Sequence, residues 1–313
     1  MTVTQFFLGV DGGQSSTKAL IGDETGRVLG AGEGGPCNHV GAAEGRAKLT
    51  RAVQDCVRKA CAAADLDSDK IEFAAACFGM SGGPDDKESL LREILRSAKL
   101  VVTHDALIAL SGATGGAAGI ITIAGTGSMG FGRNAAGQTA RAGGWGYIFG
   151  DEGGAFDIAR QALRAALRFE ERWGPRTTLR GRFLEATGAR DANDALHRFY
   201  TQDYPRQRVA TYARLVDEAA GAGDEVAVSI LNNAAQQLAM LATAVRRQLW
   251  KEQEPANVAY AGAVFRSAPL LARFKMLIEM ETGSRCEPPA HDAAAGALLE
   301  AYRAAGLLVK LEY

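Results

Sequence analysis

An apolar run, Phe6-Phe7-Leu8-Gly9-Val10, stops at the polar, glycine-rich stretch Asp11-Gly12-Gly13-Gln14-Ser15-Ser16-Thr17 and resumes at Ala19-Leu20-Ile21-Gly22. The pattern predicts strand, hydroxyl-rich turn, strand, and Asp23-Glu24-Thr25-Gly26 then turns the chain into a third strand over 27–30. Farther along, the plan repeats. Ile120-Ile121-Thr122-Ile123-Ala124 is a buried-strand pattern, Gly125-Thr126-Gly127-Ser128 is its turn, and 131–139 reads as strand, Asn…Gly turn, strand. Between the hairpins lie a helix with Leu49, Val53, Val57 and Ala60 on one face, a nearly wholly apolar strand over 71–80, a helix over 85–97 and a short strand over 100–103. Strands alternating with helices imply parallel strands joined by crossovers, an α/β class. Helices then dominate: 155–170, 193–200, 206–220 and about 225–250, followed by a strand and glycine turn over 257–265, a helix to about 281, and an alanine-rich helix over 292–304.

At 313 residues the chain is long enough for two domains, because single cores stop growing near ~250–300 residues. The 47% apolar and 23% charged residues describe a globular protein. A net charge of −1 without a Lys/Arg block argues against nucleic acid and anionic membranes as partners. The sequence holds no membrane-length apolar stretch and no basic, cleavable leader, which reads as cytoplasmic. Cys37, Cys56, Cys61, Cys77 and Cys286 are odd in number and scattered, so buried thiols are a better reading than disulfides or metal.

Both turns offer backbone N–H groups and hydroxyls to an anionic phosphate. Gly125, Gly127 and Gly130 satisfy G-x-G-x-x-G, but that dinucleotide fingerprint needs a helix straight after the glycines, and a strand follows here. No G-x-x-x-x-G-K-[ST] is present, so the chain is not a P-loop enzyme. Asp105 stands just past the strand at 100–103, where open α/β sheets bind ligands, and is the first catalytic candidate; as an alternative it caps the turn after it. Gly143-Gly144-Trp145-Gly146-Tyr147-Ile148-Phe149-Gly150-Asp151-Glu152-Gly153-Gly154 looks like a loop shaped around a ligand. Within it, Asp151 has capping of the next helix as its alternative, and Trp145 has core packing. Together these features suggest a phosphotransferase acting on a polar small molecule, with Asp105 taking the acceptor's proton and Asp11 holding hydrated Mg²⁺ on the phosphates of ATP.

The motifs VDGGQSST, IAGTGS, THDA and above all GGWGYIFGDEGG resemble the N-acetylglucosamine kinase group of the BadF/BadG/BcrA/BcrD ATPase family, across nearly the whole chain. The resemblance implies duplicated actin-like (ribonuclease H-like) ATPase domains closing over an interdomain cleft, over 1–113 and 114–290, with the segment 291–313 returning to the first. It implies ATP and Mg²⁺ as cofactors, an amino sugar as acceptor, and a homodimer. By position it makes Asp105 the base at the sugar's 6-hydroxyl, and Asn38, Gly144, Trp145 and Asp151 sugar contacts. Gly12, Gly13, Gln14, Ser15, Gly125, Thr126, Gly127 and Ser128 fall in the phosphate turns, and Ala220, Gly262 and Ala263 on the nucleotide side. Two departures stand out: Gln14-Ser15 where the family often has Gly-Thr, and Gly154 where it usually has Ser. The same family contains ATPases that activate radical dehydratases, which need cysteines to ligate an iron–sulfur cluster between subunits.

Overall fold

The computed structural model describes residues 4–13, 16–37, 42–80 and 87–313, leaving aside the side chains of 42–44. The chain forms two compact units, one of residues 1–119 with 288–313 and one of 120–287. In the first lie β1 (Phe6–Gly12), β2 (Thr17–Asp23), β3 (Val28–Gly34), α1 (Ala42–Ala63), β4 (Ala75–Met80), α2 (Glu88–Ile94), β5 (Leu100–His104) and α3 (Asp105–Ala113). The second is formed by β6 (Gly119–Ala124), β7 (Ser128–Arg133), β8 (Thr139–Gly143), α4 (Ala155–Glu170), α5 (Leu179–Thr187), α6 (Ala192–Phe199), α7 (Arg206–Thr211), α8 (Ala213–Gly221), α9 (Glu225–Leu249), β9 (Ala256–Ala261), α10 (Ala268–Glu279) and β10 (Ser284–Cys286). The closing helix α11 (Ala293–Ala305) belongs to the first unit and packs on β1, β4 and α3.

Each unit carries one five-stranded sheet, ordered β3-β2-β1-β4-β5 and β8-β7-β6-β9-β10. Numbered within its own unit, each sheet runs 3-2-1-4-5. The hairpin strands β1/β2, β2/β3 and β7/β8 pair antiparallel, whereas β1/β4, β4/β5, β6/β9 and β9/β10 pair parallel. The repeat read in the sequence is therefore a repeat of topology, and the α/β class and duplicated actin-like architecture hold.

Strand period explains the apolar run at β4. Ala76, Phe78 and Met80 face the core beneath α1, formed with Leu8, Val10, Ile21, Val53 and Val57. Ala75 and Cys77 face the opposite core beneath α11, with Phe7, Leu298 and Tyr302. Because consecutive side chains alternate faces, a strand covered on both sides must be apolar throughout.

Several boundaries differ from the sequence reading. The strand expected over 71–80 begins at Ala75, with Phe73 making only an isolated bridge to Ser97. The helix expected over 85–97 spans Glu88–Ile94 and ends where Leu95 turns extended. One helix expected over 206–220 is two, interrupted at Tyr212, whose ring packs beside Phe183, Phe199 and Tyr204. Two short elements, α5 and the three-residue β10, carry too little periodicity to be read.

The return of α11 depends on two glycines. A Cβ on Gly296 would fall on the carbonyl oxygen of Ile108, and one on Gly112 on that of Asp292, so α3 and α11 cross backbone to backbone. A methyl group there has to push the helices apart. Gly296→Ala is expected to lower unfolding stability by about 3 kcal/mol, seen as a lower melting temperature; an unchanged melt would show that the crossing tolerates separation.

Candidate active site

In the first unit the site grows from the ends of β1 and β5. Asp11 is the penultimate residue of β1, in register with Lys18 on β2 and Gly79 on β4. Gly12 and Gly13 follow; the Gly13 N–H donates to the Ser16 carbonyl at 3.0 Å, and the Cys37 N–H donates to the Gly13 carbonyl at 3.0 Å. The Thr17 hydroxyl donates to the Gly35 carbonyl at 2.7 Å, fastening the turn from below. Gln14, Ser15 and Asn38 lie outside the described residues.

Asp105 is the first residue of α3, directly after β5, and is exposed. It does not cap the helix. His104 does, its Nδ1 accepting the Leu107 N–H at 3.2 Å. Asp11 and Asp105 are close enough to repel. Burial raises the Asp11 carboxyl from 3.8 to about 6, and the charges of Asp105 and Asp292 add to the rise. Asp292 was missed from sequence, although a lone acid before an alanine run is a cap signal. It caps α11 by accepting the Ala295 N–H at 3.0 Å and takes Lys18 Nζ at 2.5 Å. Burial works against its charge, but the Lys18 and Ala295 hydrogen bonds prevail and hold its pKa below the ordinary value.

The second unit builds its part around Gly125–Ser128. The N–H groups of Ala155 and Phe156, in the first turn of α4, donate to the carbonyls of Gly125 (2.8 Å) and Thr126 (3.1 Å). The Ser128 hydroxyl donates to the Glu152 carbonyl at 2.6 Å. Among the described residues the Thr126 hydroxyl has no hydrogen-bond partner, so of the two hydroxyls it is the one left open to a ligand. Gly262, at φ +106°, lies so close that a Cβ would strike the Ala124 carbonyl, which brings Gly262 and Ala263 beneath the turn. The Ser267 hydroxyl donates to Asp217 at 2.5 Å, tying the start of α10 to α8, the helix that carries Ala220.

The Gly143–Gly154 loop departs from the sequence alternatives. Trp145 is not core: it is 65% exposed, with the Arg141 guanidinium 4.7 Å from its ring centroid. Gly144 has φ +72° and donates its N–H to the Ser128 carbonyl at 3.1 Å. Asp151 does not cap α4, whose N-cap is Gly154. It is buried at φ +66°, accepts the Ser128 N–H at 3.2 Å on Oδ1, and pairs through Oδ2 with Arg206. The departure at Gly154 also finds its reason, since a Cβ there would sit 2.9 Å from Gly127 Cα.

All five cysteines are buried; burial pushes Cys56 and Cys286 to about 12 and Cys61 to about 11. Among the described residues, no group of three or more His, Cys, Asp or Glu side chains is placed to hold a metal by protein ligands alone. Hydrated Mg²⁺ makes a smaller demand, one or two carboxylates with waters and phosphates, and Asp11, whose charge the neighbouring acids disfavour, fits it. No helix among the described residues is long and apolar enough to cross a membrane.

Residues 8–301 match the BadF/BadG/BcrA/BcrD ATPase family. The chain belongs to that family. Among curated relatives it is 32% identical, over 84% of its own length and 86% of the other's, to an N-acetylmuramic acid/N-acetylglucosamine kinase of Clostridium acetobutylicum. It is also 32% identical, over 80% and 82% of the two chains, to an N-acetyl-D-glucosamine kinase of Dictyostelium discoideum. Among solved structures, a candidate N-acetylglucosamine kinase of Chromobacterium violaceum superposes with a TM-score of 0.74 at 26% identity, covering 94% of this chain and 98% of that one.

The raised Asp11 carboxyl has a consequence for stability. A group bound more tightly by protons in the fold than at its ordinary 3.8 adds no cost at low pH, begins to cost stability above 3.8, and costs the full amount above about 6. Asp11→Asn removes that cost. Without metal, its melting temperature is expected to exceed that of the unsubstituted protein at pH 8, by up to about 3 kcal/mol in stability, and to converge with it near pH 4. An equal difference at both pH values would show that Asp11 is not strained by its neighbours.

Proposed function

We propose that the protein is an ATP-dependent sugar kinase that phosphorylates the 6-hydroxyl of N-acetylglucosamine or a close relative such as glucosamine or N-acetylmuramate. The observation that carries this reading is Asp105, exposed at the first position of α3 beyond β5, beside the partly buried Asp11, in a chain 32% identical to named amino-sugar kinases. Asp105 accepts the proton of the sugar hydroxyl as its oxygen attacks the γ-phosphorus. The bond from that phosphorus to the β,γ-bridging oxygen breaks, and ADP leaves.

Gly12, Gly13, Gly125, Gly127 and Ser128 form the turns that meet the phosphates, with the Thr126 hydroxyl added, and Gly262, Ala263 and Ala220 meet the nucleoside end. Gly144, Trp145 and Asp151, with Asn38, contact the sugar. Mg²⁺, held through Asp11, neutralises phosphate charge when bound. The dehydratase-activator reading is disfavoured by the cysteines, all five of which are buried in this chain instead of being presented for a shared cluster.

The first test is ADP formation with Mg·ATP across glucose, glucosamine, N-acetylglucosamine and N-acetylmuramate. Sugar-dependent release, with phosphate found on O6 of the product, is the expected result; no stimulation by any of the four would remove the kinase reading. Asp105→Asn is expected to lower kcat about 10²–10⁴-fold with sugar affinity retained. Turnover at the original rate in that variant would remove Asp105 as the base.

A further inference from the structure

Arg206 was not a candidate from sequence: it follows Pro205 at the start of a short helix, α7, in a stretch without motif. The structure places it at the loop. Its Nη2 pairs with Asp151 Oδ2, and its guanidinium lies 5.2 Å from the Tyr147 ring centroid and 5.8 Å from that of Phe156. Tyr147 and Phe156 themselves meet edge to face at 5.4 Å. One side chain thus touches the middle of the Gly143–Gly154 loop, its acidic end and the first turn of α4.

We propose that Arg206 is a positioning residue for sugar binding, setting the aim of Asp151 through the loop. The inference rests on the reading of Asp151 as a sugar contact. Asp151 is 6% exposed and held at a positive φ, a conformation that a non-glycine residue keeps only when its surroundings enforce it. Its other polar contact, the Ser128 N–H, is neutral, and the next basic residue along α4, Arg160, is engaged by Asp157 at 2.7 Å. Arg206 is therefore the cation that faces this buried carboxylate. Its Nε is buried without a hydrogen-bond partner among the described residues. The guanidinium is thus fixed by its ring contacts and the one carboxylate, not by a full set of acceptors. A rigid planar cation of this kind orients what it touches.

The test compares Arg206→Gln, Arg206→Lys and Asp151→Asn by separate KM values for sugar and ATP, with melting temperature as a check on folding. Arg206→Gln is expected to raise the sugar KM about tenfold or more while kcat and the ATP KM stay within about twofold. Arg206→Lys restores charge but not the flat contact to Tyr147, so its sugar KM should rise only about threefold. If the glutamine variant does not fold, the lysine variant decides alone: a selective rise in sugar KM supports the proposal, and none overturns it. Sugar and ATP KM rising in parallel in the glutamine variant would reduce Arg206 to a structural residue and overturn it. So would an unaltered sugar KM in Arg206→Gln when Asp151→Asn raises it. An unaltered sugar KM in Asp151→Asn itself would instead remove Asp151 from the sugar site.

Discussion

The candidate site of the second unit depends on close backbone approach around Gly125–Ser128. Gly154 lies against Gly127, Gly262 against Ala124 and Gly125, and the Asp151 carboxylate occupies the space where a side chain on Gly127 would be. Three segments distant in sequence meet at one turn because three positions lack a Cβ. What these glycines forgo in conformational restriction is offset by the hydrogen bonds that the approach permits: Ala155 to Gly125, Phe156 to Thr126, Ser128 to Asp151 and Glu152. A loop with ordinary side chains at these places would keep its hydroxyls and lose its shape.

The first unit relies on charge where the second relies on contact. Lys18 faces Asp11 across the hairpin, yet its ammonium is bonded to Asp292. The result is an uneven division: Asp292 is held below the ordinary carboxylate range, and Asp11 is left with burial and two like charges. A strand-end carboxylate left in this position is costly to ionise, and a nearby positive charge would lower that cost.

Much of this was legible in the residues. Both hairpins show as apolar runs broken by Gly/Ser/Thr turns, and the covered β4 shows as an unbroken apolar stretch. Asp105 stands out because an acid directly follows a strand. Long-range partners were not legible. Arg206 reaches Asp151 from an unmarked helix start, and Lys18 reaches Asp292 from the far end of the chain; no local period encodes such meetings. The break at Tyr212 was hidden for a related reason, since residues 206–220 suit one helix and only the aromatic cluster around Tyr212 decides for two. The cap at His104 shows the limit of propensity: Asp is a favoured cap residue, but the neighbour one place earlier took the role.

The second unit is uninterrupted in sequence, whereas the first is completed only by α11, which follows it. Joining α11 to α3 in a disordered chain would require closing a very long loop. The sheet of the second unit shortens that loop. Ile120, where the chain enters, is in register with Val258, and Glu287, where it leaves, donates its N–H to the Val258 carbonyl at 3.0 Å. Entry and exit thus flank a single residue, about two strand spacings or ~10 Å apart. Once the inserted unit has formed, the two parts of the first behave as though joined by a short tether, and most of the entropy of bringing them together has already been lost. A single residue of β9, Val258, thus sets the length of the tether across which the first unit is completed.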